Sequence, residues 1–173
     1  KTIAKYLGPD YRVKASVGHI CDLPLKEMGY DEATFIAKYE VYDRAKSILA
    51  DLKKLAAGAS EIILASDADR EGEAIAWHLA REMKLKRYGR VRFTDVTKDT
   101  IVRELASPDK LDMNRVDAQE CRRILDRMIG YTVSGIISTK TGQRGLSAGR
   151  VQSIAGRMLV DREREIMAHR KRT

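Results

Sequence analysis

The sequence predicts an α/β fold built on a parallel sheet, continued by a segment that is helical throughout. Three observations carry this. The short apolar run Glu61-Ile62-Ile63-Leu64-Ala65 suits a buried parallel strand. Amphipathic helical periodicity flanks that run on both sides. Beyond Ser107-Pro108-Asp109 no strand pattern remains, and only helical spacing continues.

Residues 1–7 are short and mixed, and Gly8-Pro9-Asp10 is a turn signal. Tyr11 to Val17 alternates apolar and polar residues as a half-buried strand would, and His19 follows directly. Ala45, Ile48, Leu49, Leu52 and Leu55 recur at intervals of three and four, predicting a helix over 43–57 that Gly58 ends. The strand at 61–65 comes next, then a helix from Glu73 to Met83 on Ile75, Ala76, Leu79 and Met83, then a strand at Val91-Arg92-Phe93. This order of strand, helix, strand, helix, strand describes an α/β layer over 1–106. In the second part, 107–173, Val116, Cys121, Leu125 and Met128 are expected to line one helix face, with Gly130 as its stop. Val151, Ile154, Met158, Leu159 and Ile166 line a second helix, for which Ser147 is the expected cap.

Across 173 residues, 33 Lys and Arg outweigh 25 Asp and Glu, a net charge of +8 that points to a polyanionic partner, nucleic acid before membrane. A hydrophobic content of 43% argues against disorder, and an aromatic content of 6% against a recognition surface of stacked rings. No apolar run approaches the roughly 18 residues of a membrane span, and no signal peptide pattern occurs, so a soluble protein is expected. Cys21 and Cys121 lie far apart, with no Cys-x-x-Cys spacing and no clustered His. That excludes a zinc site or disulfide framework and fits a reducing cytosol. The first residue is Lys1 and the last stretch is a charged run, so both ends are expected to be cuts.

The most informative stretch is Ser66-Asp67-Ala68-Asp69-Arg70-Glu71-Gly72-Glu73, placed at the C-terminal end of the expected buried strand, where sites of open α/β sheets collect. Two carboxylates about 4 Å apart repel by about 4 kcal/mol at an effective dielectric of 20. Gathering Asp67, Asp69 and Glu71 therefore calls for a cation, and hard oxygen ligands without His or Cys point to Mg²⁺. The alternative is that the acids cap the following helix and favour its positive end, which covers one or two of them and leaves Asp67 and Asp69 unexplained.

Asp67-x-Asp69-Arg70-Glu71-Gly72-Glu73-x-Ile75-Ala76-x-His78 after a buried strand resembles the acidic signature of the Toprim domain of topoisomerases, primases and some nucleases. Ser16-Val17-Gly18-His19-Ile20-x-Asp22-Leu23-Pro24 and Gly145-Leu146-Ser147-Ala148-Gly149-Arg150-Val151-Gln152-Ser153 are similar to motifs of type IA DNA topoisomerases, the bacterial topoisomerase I branch in particular. The resemblance runs in order across almost the whole chain. It implies a Rossmann-like Toprim domain over 1–106, its first strand missing, followed by the start of the helical DNA-binding domain over 107–173.

By that resemblance the protein relaxes negatively supercoiled DNA without ATP, cleaving one strand through a 5′-phosphotyrosine. Asp67, Asp69 and Glu71 match metal-binding positions for Mg²⁺, and Arg70 a phosphate-facing one, with an ion pair to a neighbouring acid as its alternative. His19 matches the histidine near DNA at the active site, able to reach a phosphate or shuttle a proton. His19, Arg70 and Glu71 are thus the expected catalytic residues. Arg122, Arg123, Asp126 and Tyr131 match positions that contact single-stranded DNA, although an Arg122–Asp126 surface ion pair and a core tyrosine are the alternatives. Ser147, Ala148, Gly149, Arg150, Val151 and Gln152 open a helix able to receive phosphate, and Lys140 and Arg144 add non-specific attraction. His78 is expected to be structural and His169 solvated. The implied setting is cytoplasmic and nucleoid-associated, the protein a monomer.

The chain departs from the family pattern in three places. The first strand, with its glutamate in a Ser-Pro-Ala-Lys context, is absent; the cleavage tyrosine is absent; and Ser138 stands where a tryptophan often precedes the basic loop. The chain alone is therefore expected to be inactive. Another Toprim enzyme would share the acidic loop without a reason for the Leu146–Ser153 motif, and a non-catalytic DNA-binding remnant is the remaining alternative.

Overall fold

The computed structural model describes residues 2–169, which fall into two compact units divided between Cys121 and Arg122. In the first, α1 (Thr2–Leu7) precedes a long extended stretch. A small antiparallel pair follows, β1 (Cys21–Asp22) on β2 (Glu40–Val41), then α2 (Asp43–Ala57), β3 (Ile63–Asp67), α3 (Arg70–Met83), β4 (Gly89–Phe93) and α4 (Lys98–Leu105). Helix α5 (Met113–Thr141) begins in the first unit and continues in the second, which ends with α6 (Arg150–Ala168). The fold is mixed α/β with a small parallel sheet, and no described helix is long and apolar enough to cross a membrane.

The parallel pair is β3 and β4, in register from Ile63 opposite Gly89 to Asp67 opposite Phe93, with α3 as the crossover. Period-two alternation gives the pair two different faces. Ile63, Val91 and Phe93 pack with Ile3, Tyr6, Leu7, Ile101 and Leu105 of α1 and α4. Leu64 packs with Ala76 and Ala80 of α3, and Arg90 and Arg92 share its face by alternation. A separate cluster of Ile20, Cys21, Ala45 and Leu49 ties β1 to α2.

Several expected elements differ from the structure. Tyr11–Val17 joins no sheet among the described residues, so its alternation serves an exposed segment rather than a strand. The strand expected at 61–65 lies two residues later, at 63–67, which brings Asp67 into the sheet. Thr2–Leu7 is a helix, and α4 was not foreseen; Thr97, whose hydroxyl accepts from the Thr100 N–H, is the cap signal that marks it. Gly130 does not stop its helix, because α5 runs through it to Thr141. The buried face of α5 is Val116, Ile124 and Arg127, whereas Cys121 and Leu125 are exposed. Gly149 rather than Ser147 is the N-cap of α6, and no side chain caps it.

Candidate metal and nucleic-acid site

The acidic loop leaves the end of β3 and turns straight into α3. The turn is tight: a Cβ on Gly72 would lie 2.3 Å from the Asp67 carbonyl oxygen, so only glycine lets the first turn of α3 rest on the strand end. The Ser66 hydroxyl donates to the Gly72 carbonyl at 2.7 Å. Asp69 is the N-cap of α3, its Oδ1 accepting from the Gly72 N–H at 2.7 Å. The capping alternative therefore holds for Asp69, which the sequence argument had left outside it.

The loop rests on a buried cationic layer that the sequence motifs do not mark. Glu73 and Arg90 have no side-chain exposure, and their ion pair closes at 3.0 Å. Arg92 donates to both Glu73 oxygens, at 3.1 and 2.8 Å, and the Asp112 N–H adds a 2.7 Å bond to Oε1. Burial alone would raise the Glu73 carboxyl, but the bonds from Arg92, Asp112 and Arg90 outweigh it and hold it below the usual range. Burial lowers Arg90 against the pull of Glu73, while the bond to Glu73 raises Arg92. Arg90 also donates to the carbonyls of Leu64, Ser66, Val91 and Asp67, the last at 3.0 Å. Arg115 of α5 donates to the Ala68 carbonyl. Alternating arginines alone do not mark this layer; the signal that could have is the acidic first turn of the helix that must cover their strand face.

His19, from the first motif, lies against this loop: its Nε2 is 3.0 Å from Oε1 of Glu71, across 52 residues of sequence. Ile20, fully buried, anchors it on one side. Arg70 is exposed and makes no ion pair among the described residues, so it is available to an anion. His78 is 4% exposed and lies edge-on to Tyr39, with ring centroids 4.5 Å apart. Burial, helped by Arg81 and His19, pushes its imidazole down to about 3, so it stays neutral and structural, as expected.

Asp67, Asp69 and Glu71 supply hard oxygen donors of the kind Mg²⁺ takes, and Mg²⁺ needs only one or two carboxylates because it keeps several waters. Asp67 offers its carboxylate at the strand end and Asp69 its second oxygen, while Glu71 is engaged by His19. Among the described residues no group of at least three His, Cys, Asp or Glu is already arranged to hold a metal. The donor set fits a sparsely ligated, water-rich ion, not an all-protein cage.

In the second unit, Asp126 links the expected DNA-binding residues. It accepts from Arg150 Nη2 at 2.8 and 2.7 Å and lies 3.8 Å from Arg122 Nε. The Arg122–Asp126 surface ion pair is thus present within α5, and the Arg150–Asp126 pair joins the start of α6 to α5. Arg123 is exposed. Tyr131 is 44% exposed, its hydroxyl accepting from Arg127 at 2.7 Å, so it is not a core aromatic. The loop from Gly142 to Gly149 docks on α5 through the Ala148 N–H, which donates to Ser134 Oγ at 2.8 Å. Ser147 donates to Gln152 Oε1 at 3.1 Å, leaving Arg150 and Val151 exposed and Lys140 at the end of α5 exposed as well. His169 is exposed, as expected.

Two stretches of the chain match known protein families. Residues 1–96 match the model of the Toprim domain and residues 110–173 that of the DNA topoisomerase family. The chain is similar to full-length topoisomerase I from Thermotoga maritima, at 43% identity and a TM-score of 0.85 over 98% of this chain. It spans 29% of that protein's length.

Proposed function

The chain belongs to the type IA DNA topoisomerases, in the bacterial topoisomerase I branch, and on that premise we propose that it supplies the metal-holding and strand-binding part of an enzyme relaxing negatively supercoiled DNA. The reaction proposed is ATP-independent and Mg²⁺-dependent. A tyrosine hydroxyl, which this chain does not supply, attacks a phosphodiester of one strand; the 3′-hydroxyl leaves, and resealing reverses the step after another segment has passed.

The observation that carries this reading is the 3.0 Å contact between His19 and Glu71, because it brings two motifs remote in sequence to one point above the acidic loop. In the proposed roles Asp67 and Asp69 hold Mg²⁺ with Glu71 beside them. The ion would offset phosphate charge there. Arg70 receives a phosphate oxygen, and His19 holds or moves a proton at the strand. Arg122, Arg123, Asp126, Tyr131, Lys140 and the Ser147–Gln152 segment bind single-stranded DNA. The protein acts as a monomer in the cytoplasm, on the nucleoid.

The test uses the purified chain. It should bind a labelled single-stranded oligonucleotide with salt-dependent affinity, yet give no ladder of relaxed forms from supercoiled plasmid and Mg²⁺. Failure to bind the oligonucleotide would remove the strand-binding assignment. A ladder abolished by the Asp67→Ala, Asp69→Ala double substitution would show that the chain cleaves by itself.

A further inference from the structure

Among the described residues Val17, Phe35 and Lys84 are the non-glycine residues with positive φ, at 60°, 56° and 55°. Lys84 is the C-cap of α3, its N–H bonded back to Ala80 and Arg81, an ordinary use of the left-handed region. Phe35 is held by its N–H, which donates to the Asp31 carbonyl at 2.8 Å, and by a ring stacked on Tyr30. Val17 has neither kind of support.

It is β-branched, the side-chain type least tolerant of this conformation, and 70% exposed. The next residue, Gly18, is also left-handed, at φ 82°, so the chain reverses sharply just before His19. The Ser16 hydroxyl, donating to the Gly18 carbonyl at 3.2 Å, closes this kink across Val17. Backbone strain of this kind clusters at active sites and ligand clamps. The kink aims the imidazole of His19 at Glu71 and leaves the isopropyl group of Val17 in solvent two residues away.

We infer that Val17 is a substrate-contact residue: its isopropyl group packs against the sugar or base of a nucleotide in the single strand whose phosphate His19 reaches. The inference rests on the strand-binding reading and adds an apolar contact beside the polar pair His19 and Glu71.

The experiment measures oligonucleotide affinity and thermal stability for the chain and its variants Val17→Thr and Val17→Gly. Threonine keeps the β-branch and the strain but replaces a methyl by a hydroxyl; glycine removes both strain and side chain. Expected are an affinity loss of about three-fold for V17T and up to about ten-fold for V17G, the scale of part of a valine side chain losing apolar contact. V17G should melt higher than the parent and V17T at the same temperature. In the parent, the Val17 methyl resonances should shift when the oligonucleotide is added. Parental affinity in V17T with unmoved methyl resonances would overturn the inference while leaving strand binding intact. A parent that binds no oligonucleotide would overturn both.

Discussion

Arg90 and Glu73 form a fully buried ion pair beneath the acidic loop, and the same guanidinium reaches the carbonyl of Asp67, the residue at the strand end where the metal is proposed to sit. The pair ties the stability of the sheet to the placement of the loop. Breaking a buried pair from one side leaves the other charge uncompensated, which costs about 3–5 kcal/mol. Glu73→Ala should therefore lose that much stability in urea unfolding, with Arg90 left charged under Asp67. The pH dependence has a definite sign. Because the folded carboxyl lies below its ordinary 4.5, its contribution is complete above that value and lost as pH falls through the folded one. Glu73→Gln should flatten the acid limb of the stability curve below about pH 4.5. A parental acid limb in that variant would count against the pair as its origin.

His78 governs a different pH window. Its imidazole titrates near 3 in the fold against 6.5 ordinarily, so between those values the unfolded chain binds a proton that the native state refuses. Stability is then complete above pH 6.5 and falls as pH drops toward 3, by about 1.4 kcal/mol per unit. His78→Phe, which keeps a ring against Tyr39, should remove the slope between pH 6.5 and 5, where Glu73 contributes none. Chemical denaturation at half-unit pH intervals measures it, and equal slopes in parent and variant would contradict the assignment.

Gly72 is the position where a single methyl reaches the site. Its Cβ would stand 2.3 Å from backbone oxygen, which cannot swing aside as the end of a flexible side chain can. Gly72→Ala must displace the Asp67 carbonyl from Arg90 or lift the first turn of α3. Overpacking of this kind costs about 1–3 kcal/mol. The amide resonances of Asp67, Ala68 and Asp69 should move most, with those of β1 and β2 unchanged; a uniform shift across the sheet would argue against a local wedge.

The helix over 43–57, and α3 from Glu73 to Met83 though not its first turn from Arg70, were legible because three- and four-residue spacing survives wherever one helix face packs on a core, and the acidic loop was legible from its composition. Arg90 and Arg92 were not. Alternating arginines in Arg90-Val91-Arg92 read as a solvent face, and only the crossover helix, which sets Glu73 opposite them, reveals that the face is buried. The 11–17 segment misled for the converse reason: alternation records which side chains can face a core, whereas a strand also needs a partner for its backbone. Gly130 misled because a helix interior tolerates glycine at about 1 kcal/mol, which twenty-nine residues of α5 absorb. The site was half visible: each motif was recognisable alone, but the His19–Glu71 contact exists only in three dimensions.

Asp69 serves two ends, and two substitutions separate them. Its Oδ1 caps α3 through Gly72, while its charge is proposed to face Mg²⁺. Asparagine caps as well as aspartate does, whereas alanine forfeits about 1 kcal/mol. Asp69→Asn should therefore unfold like the parent in the absence of metal, and Asp69→Ala should unfold earlier. Added Mg²⁺ stabilises a protein that binds it in the folded state, by about 2.7 kcal/mol at a hundred times the dissociation constant. The parent should gain stability with Mg²⁺. Both Asp69 variants and Asp67→Asn should lose the gain, Asp67→Asn without any loss of the cap. If Asp69→Asn keeps the full response to Mg²⁺, the carboxylate is a helix cap alone, and the ion must draw its ligands from Asp67 and Glu71, which would require His19 to leave Glu71.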